Sequence, residues 1–501
     1  MSMQGPRPVR PPLPRTTREI IRPHGLSAAD AVPYYSADTV PLLEYEMMFT
    51  QTPLANASYP AIALQLSTVD IPLLKESLSK ALARNPFLAG RVRGSSIALT
   101  NDGVPFTVQY QRNSPFNDEV EEETLLQLAD FRKPRRVLRG AEPLMTIKVT
   151  IAKNTGSAIL VMCRSHGLLD GSSAWAFLND WACLARGDGE PVARRNDDVL
   201  FEALPSTERL AEISQEVIGR QFQANEWKTK LANVLMPIVV PIYDSLWLSG
   251  ITGQLKRART WFDRSELRRL KESACPYADS WVSMQEAIAA WLIWNIARKT
   301  LPEDAPGVVS LLLLLDARKA LGMSPNDLSG CGLVFAPMRL EGVRQMTFPE
   351  VAEYIHDECQ AATTPEKLAA RWKLTAGAAE VNGVFDVMME TMRAASQTDF
   401  ALMLNNQFKR QLPNFGPAGG QTFMPTTNAG PTLMLPGKEG GMRIFFDEST
   451  LFKSAKTTAD KNAAMMAIKM DVPYPEPKKP TNPKKNLSER SSDQWAAASG
   501  A

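Results

Sequence analysis

Along the chain, short apolar runs alternate with stretches in which apolar residues recur every three or four positions, a mixed α/β pattern without the longer period of a repeat array. Ala61 to Ser67 reads as a strand, after which Asp70 is placed to cap a helix. Leu74, Leu78, Ala81 and Leu82 of that helix share one face, and it ends near Asn85 and Pro86. Met145 to Ala152 and Ser157 to Ser165 predict two strands, joined as a hairpin by the turn residues Lys153, Asn154, Thr155 and Gly156. From Gly171 the period becomes helical. Ala174, Phe177, Leu178, Trp181, Leu184 and Ala185 form one stripe, and Gly187 stops it. His166 therefore falls at a strand-to-helix junction.

Residues 187–260 are polar and then apolar without clean strand signals, as in a crossover between two halves. Within them, Val234 to Gly250 is interrupted by Pro237, Pro241 and Asp244 and is too short to span a bilayer, so a partly buried crossover segment is expected. Met284 to Ala297 predicts a helix carrying Trp291 and Trp294. Val308 to Leu315 is an unbroken apolar run of strand length, the mark of a strand covered on both faces, and it emerges at Asp316. Thr347 and Glu350 have capping-box spacing and start another helix.

At 501 residues the chain exceeds what one core usually organises, so two domains are expected. The boundaries read as a disordered leader over 1–30, rich in Pro and Arg and lacking a secretory apolar run, then an N-terminal domain over 31–215. A crossover over 216–260, a C-terminal domain over 261–470 and a flexible, Pro- and charge-rich tail over 471–501 complete the order.

A composition of 44% hydrophobic and 22% charged residues is that of a soluble globular protein. Lys+Arg 56 against Asp+Glu 54 leaves a net charge of +2, too balanced to point to nucleic acid. The five cysteines, Cys163, Cys183, Cys275, Cys331 and Cys359, are odd in number and form no CxxC pair. Neither a disulfide framework nor a metal site is indicated, and a cytoplasmic compartment fits.

Three histidines occur. His24 lies in the leader, and His356 sits in the helix begun at Thr347 as a surface or core-edge residue. His166 follows an apolar strand and precedes Gly167, while Gly171, Ser172 and Ser173 are small enough to let a substrate approach the backbone. Asp170 lies four residues on, and spacing leaves open whether it acts with His166 or separately.

Taken together these segments resemble the HxxxD acyltransferases, the BAHD and trichothecene acetyltransferase group. LKESLSKALARNPFLAGRVR, Leu74 to Arg93, looks like the family's N-terminal helix and AGR turn, and SHGLLDG, Ser165 to Gly171, matches its HxxxDG motif. LLLLDARKAL followed by SGCGLVFAP resembles the D-x-R strand and its successor. NFGPAGG, Asn414 to Gly420, then TLMLPGKEGGMRIFFDE, resembles the DFGWG segment and the closing strand pair. The resemblance runs in order over roughly residues 35 to 455. The NFGPAGG variant and the long tail look more like the fungal branch than the plant one.

The resemblance implies a two-domain, chloramphenicol-acetyltransferase-like α/β fold of mixed sheets and flanking helices, with a substrate tunnel between the domains. It implies that His166 is the general base, and that Asp170, Gly171 and Arg318 support the site, Asp170 pairing with Arg318 of D-x-R. It further implies an acyl-CoA co-substrate, acetyl-CoA foremost, no cofactor, and a small acceptor with a hydroxyl or amine. An apolar specialised metabolite is the expected acceptor, and a monomer the expected state. Where the family has DFGWG, this chain has Asn414-Phe415-Gly416-Pro417-Ala418, for which changed loop packing is expected. Asn405, Asn406 and Gln407 stand near the family's residues that precede that segment, so they are oxyanion candidates, with Asn414, Phe415 and Gly416 on the donor side. The alternative, ordinary polar loop residues, stays open. Cys163 as a nucleophile is disfavoured because it should face away from His166 on the same strand. Two other functions remain open. One is a condensation-type enzyme fed by a carrier-protein thioester, although Ser165 stands where such enzymes carry a first histidine. The other is a non-catalytic binding protein of the same fold.

Overall fold

The computed structural model describes residues 16–24, 38–43, 46, 60–112, 127–189, 192–195, 257–275, 281–319, 321–324, 326–328, 332–372, 398–406, 412–416, 422–427, 432–436 and 440–447. In chain order the strands of the first half are β1 (Thr16–Ile21), β2 (Thr39–Pro41), β3 (Ala61–Leu66), β4 (Arg91–Arg93), β5 (Ser96–Ala98), β6 (Val104–Gln111), β7 (Met145–Ala152) and β8 (Ala158–Arg164). Those of the second half are β9 (Arg257–Phe262), β10 (Val309–Asp316), β11 (Leu333–Leu340), β12 (Phe400–Asn406), β13 (Thr422–Thr427), β14 (Thr432–Pro436) and β15 (Met442–Asp447). They form two six-stranded sheets, ordered β1-β6-β7-β8-β3-β13 and β11-β10-β12-β14-β15-β9, and a three-stranded sheet, β2-β5-β4.

The first sheet is built around the expected hairpin. β7 and β8 run antiparallel with Met145 opposite Arg164, and every residue of β8 is buried. Gly156 supplies the positive φ, 73°, that the connecting turn requires. Helix α1 (Ile71–Arg84) begins where the Asp70 carboxylate accepts from Leu73 N at 3.1 Å. Its face of Leu74, Leu78, Ala81 and Leu82 is withdrawn from water, at roughly 1.5–3 kcal/mol of stabilisation per leucine. Helix α2 (Gly171–Arg186) ends at Gly187 with φ 80°, a left-handed cap that a side chain would strain. The two helices meet where Trp181 Nε1 donates to Leu74 O at 3.1 Å and Ser77 Oγ at 3.0 Å, which satisfies an indole buried in the core.

In the second sheet β10 lies between β11, antiparallel to it, and β12, parallel to it, and the apolar run is buried from Val309 to Leu313 and half-buried from Leu314 to Asp316. Capping boxes start its helices. Asp263 and Glu266 open α3 (Arg264–Ala274), and Ser283 and Glu286 open α4 (Met284–Thr300). At α5 (Phe348–Ala362) the Glu350 carboxylate accepts Thr347 N at 2.8 Å.

Three features depart from the sequence expectations. The leader, read as disordered through residue 30, contains β1, which pairs antiparallel with β6 from Thr16↔Gln109 to Ile21↔Val104. Its β-branched residues suit an edge strand that buries only Ile21, a signal too short to stand out among Pro and Arg. The stretch read as lacking strands ends in β9, antiparallel to β15 at the sheet edge. Finally, β13 joins the first sheet, antiparallel to β3, with a register shift between Phe423 and Thr426 that accommodates Pro425. Leu328 and Phe415 are likewise buried in the first core, so the second half completes the first.

Most of the crossover, including Val234 to Gly250, the tail over 471–501 and Gln407 lie outside the described residues. Among the described residues no helix is long and apolar enough to cross a membrane, and no group of side chains is arranged to hold a metal ion.

Candidate active site

The sheet passes the chain directly into the site. Ser165 N donates to Leu144 O at 2.8 Å, and Leu168 N and Leu169 N both donate to Ser165 O, at 3.3 and 3.2 Å. The backbone thus makes one tight turn between β8 and α2. Asp170 ends it with extended backbone and caps α2 by accepting Ser173 N on Oδ1 at 2.8 Å. His166 stands at the start of this turn, half-buried, while Leu168 and Leu169 anchor the turn in the core.

Burial first, and the charge of Arg164 second, lower the pKa of His166, opposed by the charge of Asp170 and by the residue's own carbonyl, to about 4. At neutral pH the imidazole is therefore uncharged and able to accept a proton.

Asp170 does its work toward the other half. Its Oδ2 accepts Arg318 Nη1 at 2.9 Å and Gly332 N at 3.0 Å. Burial alone would raise its pKa, but the Arg318 charge and the Ser173 N–H outweigh that and hold the carboxyl below the usual range. Arg318 is 1% exposed and fully engaged. Nη2 donates to Ser173 Oγ at 2.7 Å, Nε to Asp327 O at 3.2 Å, and Nη1 also to Asp316 Oδ1 at 3.2 Å. A second tie crosses beside it, from Ser172 Oγ to Asp316 Oδ2 at 2.5 Å. The fork of Arg318 suits such multiple contacts, and a buried pair with its hydrogen bonds satisfied holds geometry firmly.

The structure thus brings together His166, Asp170, Gly171 and Arg318. Gly171 opens α2 between the cap and the two serines. Sequence reading missed Gly332, Asp316 and the cross-half roles of Ser172 and Ser173. A Cβ on Gly332 would lie 2.6 Å from Arg318 Nη1, so only glycine fits beneath the guanidinium. The glycine before the apolar run LVFA was the available signal.

Asn405 and Asn406 end β12, with Asn405 level with Leu314 of β10, so they lie at the same end of the sheet as Asp316, which ends β10. Asn406 Nδ2 donates to Gln285 Oε1 at 2.9 Å. Asn414, Phe415 and Gly416 lie elsewhere. Phe415 is buried edge-on against Trp181, ring centroids 5.1 Å apart, and Arg186 Nη1 donates to the Asn414 carbonyl. Gly416 N donates to Asn414 Oδ1 at 2.9 Å. These contacts sit toward the far end of α2, on the order of 20 Å along its axis from the His166 turn.

Cys163 is buried, and burial pushes its thiol up to about 12, so it supplies no thiolate at neutral pH. His356 Nδ1 lies 3.1 Å from Glu286 Oε2 and its ring meets Trp281 edge-on, the core-edge placement expected of it.

Residues 58–404 match the profile of the Transferase family. Akuammiline synthase 2 of Alstonia scholaris is 32% identical over 142 residues, 28% of this chain and 31% of that protein. Vinorine synthase of Rauvolfia serpentina is 36% identical over 125 residues, 24% of this chain and 30% of that protein. BAHD acyltransferase BIA1 of Arabidopsis thaliana is 27% identical over 199 residues, 35% of this chain and 44% of that protein. The chain therefore spans less than half the length of these curated relatives. Among solved structures, vinorine synthase superposes with a TM-score of 0.57 at 14% identity, over 93% of this chain and 100% of that one. F. graminearum TRI101, complexed with coenzyme A and T-2 mycotoxin, superposes with a TM-score of 0.59 at 15% identity, over 86% of this chain and 97% of that one. These likenesses show the shared mixed α/β fold.

Proposed function

The chain belongs to the Transferase family of BAHD acyltransferases, and from that premise we propose that it transfers an acyl group from an acyl-CoA thioester to a hydroxyl or amine of a small apolar metabolite. Acetyl-CoA is the donor this reading favours, and the reaction needs no resident cofactor. A monomer in the cytoplasm completes the reading. The observation that carries it is a neutral histidine on a turn tied to both halves, through Ser165 to the first sheet and through Asp170 to Arg318 of the second half. The TRI101 neighbour, which holds coenzyme A beside a small molecule, supports the same pairing of substrates.

In the proposed mechanism a ring nitrogen of His166 takes the acceptor proton as the acceptor oxygen or nitrogen bonds to the thioester carbonyl carbon. The tetrahedral intermediate collapses with loss of the C–S bond. The departing thiolate takes the proton back from the imidazolium, so His166 ends the cycle neutral. A donor to the transient oxyanion is worth about 3 kcal/mol, and the Asn405–Asn406 end of β12 is the place from which one would come.

Because the pKa of His166 is lowered to about 4, the base stays available well below the ~6.5 of free imidazole. The acidic limb of kcat/KM should lie near that lower value, and a limb at the free-imidazole value would contradict the environment described. Stability carries the matching sign. The unfolded state binds the proton first as pH falls through ~6.5, so His166 contributes a progressive loss of stability between there and its folded pKa.

The donor is tested by comparing acetyl-CoA with acetyl-pantetheine, which keeps the thioester and lacks the nucleotide and its phosphates. Loss of efficiency with the shorter donor, shrinking as salt rises, is the expected outcome. Equal efficiency, or activity only with a carrier-bound thioester, would favour the condensation-type reading.

A further inference from the structure

We propose that Arg164 is a positioning residue for this reaction, its buried guanidinium closing the turn that carries His166 and keeping a fixed positive charge beside the imidazole. The inference rests on His166 being the general base.

Arg164 is the last residue of β8 and is 2% exposed. Its main-chain N donates to Pro60 O at 3.1 Å, which continues the pairing with β3. Its side chain then bends over the turn. Nε donates to Leu169 O at 2.9 Å, and Nη1 reaches Pro60 O at 3.5 Å. Leu169 immediately precedes Asp170, so this side chain reaches from the end of β8 across the loop to its penultimate residue. The turn is therefore gripped twice by buried arginines, at Leu169 O by Arg164 from the first sheet and at Asp170 Oδ2 by Arg318 from the second half. A planar fork can serve two carbonyls at once, whereas a lysine ammonium on a flexible stem holds no fixed pair of directions.

The electrostatics follow from this placement. Among the described residues, the charges of Arg164 and Asp170 act on His166 in opposite senses. Asp170 is in turn paired with Arg318, and Arg318 with Asp316. Arg164 thus counters the carboxylate that would otherwise draw a proton onto the ring. Removing its charge should raise the pKa of His166, because burial and Asp170 would then act without it.

The test is the pH dependence of kcat/KM in Arg164→Met and Arg164→Lys, with His166→Ala alongside. In Arg164→Met the acidic limb should move upward by roughly one pH unit or more, with kcat at least about tenfold lower. Arg164→Lys keeps the charge and loses the fork, so its limb should stay in place while kcat still falls. A purely structural role would lower kcat in both without moving either limb. If circular dichroism shows Arg164→Met unfolded, Arg164→Gln, neutral yet able to donate one hydrogen bond, is read in its place. A limb that stays put in the neutral variant, or moves equally in Arg164→Lys, overturns the proposal. Should His166→Ala retain turnover, the general-base reading itself fails; an inactive His166→Ala with an unmoved limb defeats the Arg164 role alone.

Discussion

His166→Ala lowers turnover by roughly two to four orders of magnitude, the usual loss when a general base is removed, and leaves the fold intact. The separation of the two effects follows from how the turn is held. Ser165 bonds into the sheet, Arg164 reaches Leu169 O, and Asp170 is fastened to Ser173, Arg318 and Gly332. The imidazole adds to none of these ties. Circular dichroism and thermal melting should therefore match the parent protein, with the acceptor still binding and the proton no longer removed. Near-normal turnover in the folded variant would sink the assignment.

Asp170→Asn has the opposite profile, a loss of stability along with activity. The substitution removes the charge facing Arg318, which is almost wholly buried and cannot be rehydrated in place. Breaking a buried pair from one side costs about 3–5 kcal/mol. Asp316, 3.2 Å from Arg318 Nη1, remains as a second carboxylate, so the lower end of that range is expected. A double-mutant cycle with Arg318→Gln isolates the pair: a coupling of about 1 kcal/mol or more supports it, and additive losses would show that the residues do not interact. The pH dependence has a definite sign as well. A carboxyl whose folded pKa is depressed contributes stability above its unfolded value, and that contribution is lost as pH falls through the folded pKa. Asp170→Asn should remove this component of acid sensitivity.

Helices α1, α2, α4 and α5 were legible in the sequence because their signals are local, whereas α3 was not anticipated. Asp70, and Thr347 with Glu350, announce helix starts within a few residues, and Gly187 announces a stop. The β7–β8 hairpin and the strand β10 were legible for the same reason. What was not legible depends on partners distant in the chain. β13 looks like any strand of the second half, and only its hydrogen bonds to β3 place it in the first sheet. β1 is six residues whose strand character is expressed against β6.

The site divides in the same way. His166 stood out by its local surroundings, but Asp170 and Arg318 are 148 residues apart, and no spacing rule could join them; the family resemblance did. Gly332 contributes a main-chain N–H, which has no side-chain signature, and Ser172 and Ser173 registered only as small. Asn414 to Gly416 were drawn toward the chemistry by resemblance, while the apolar Phe415 belongs to the first core.

The most direct test of the account follows free thiol released from acetyl-CoA by the purified protein against a panel of alcohols and amines, with His166→Ala in parallel and product masses recorded. Acceptor-dependent thiol release with a product heavier by one acetyl group, abolished or nearly so in His166→Ala, is the predicted result. Thiol release undiminished in that variant, or none with any acyl-CoA and acceptor from a well-folded protein, would contradict it.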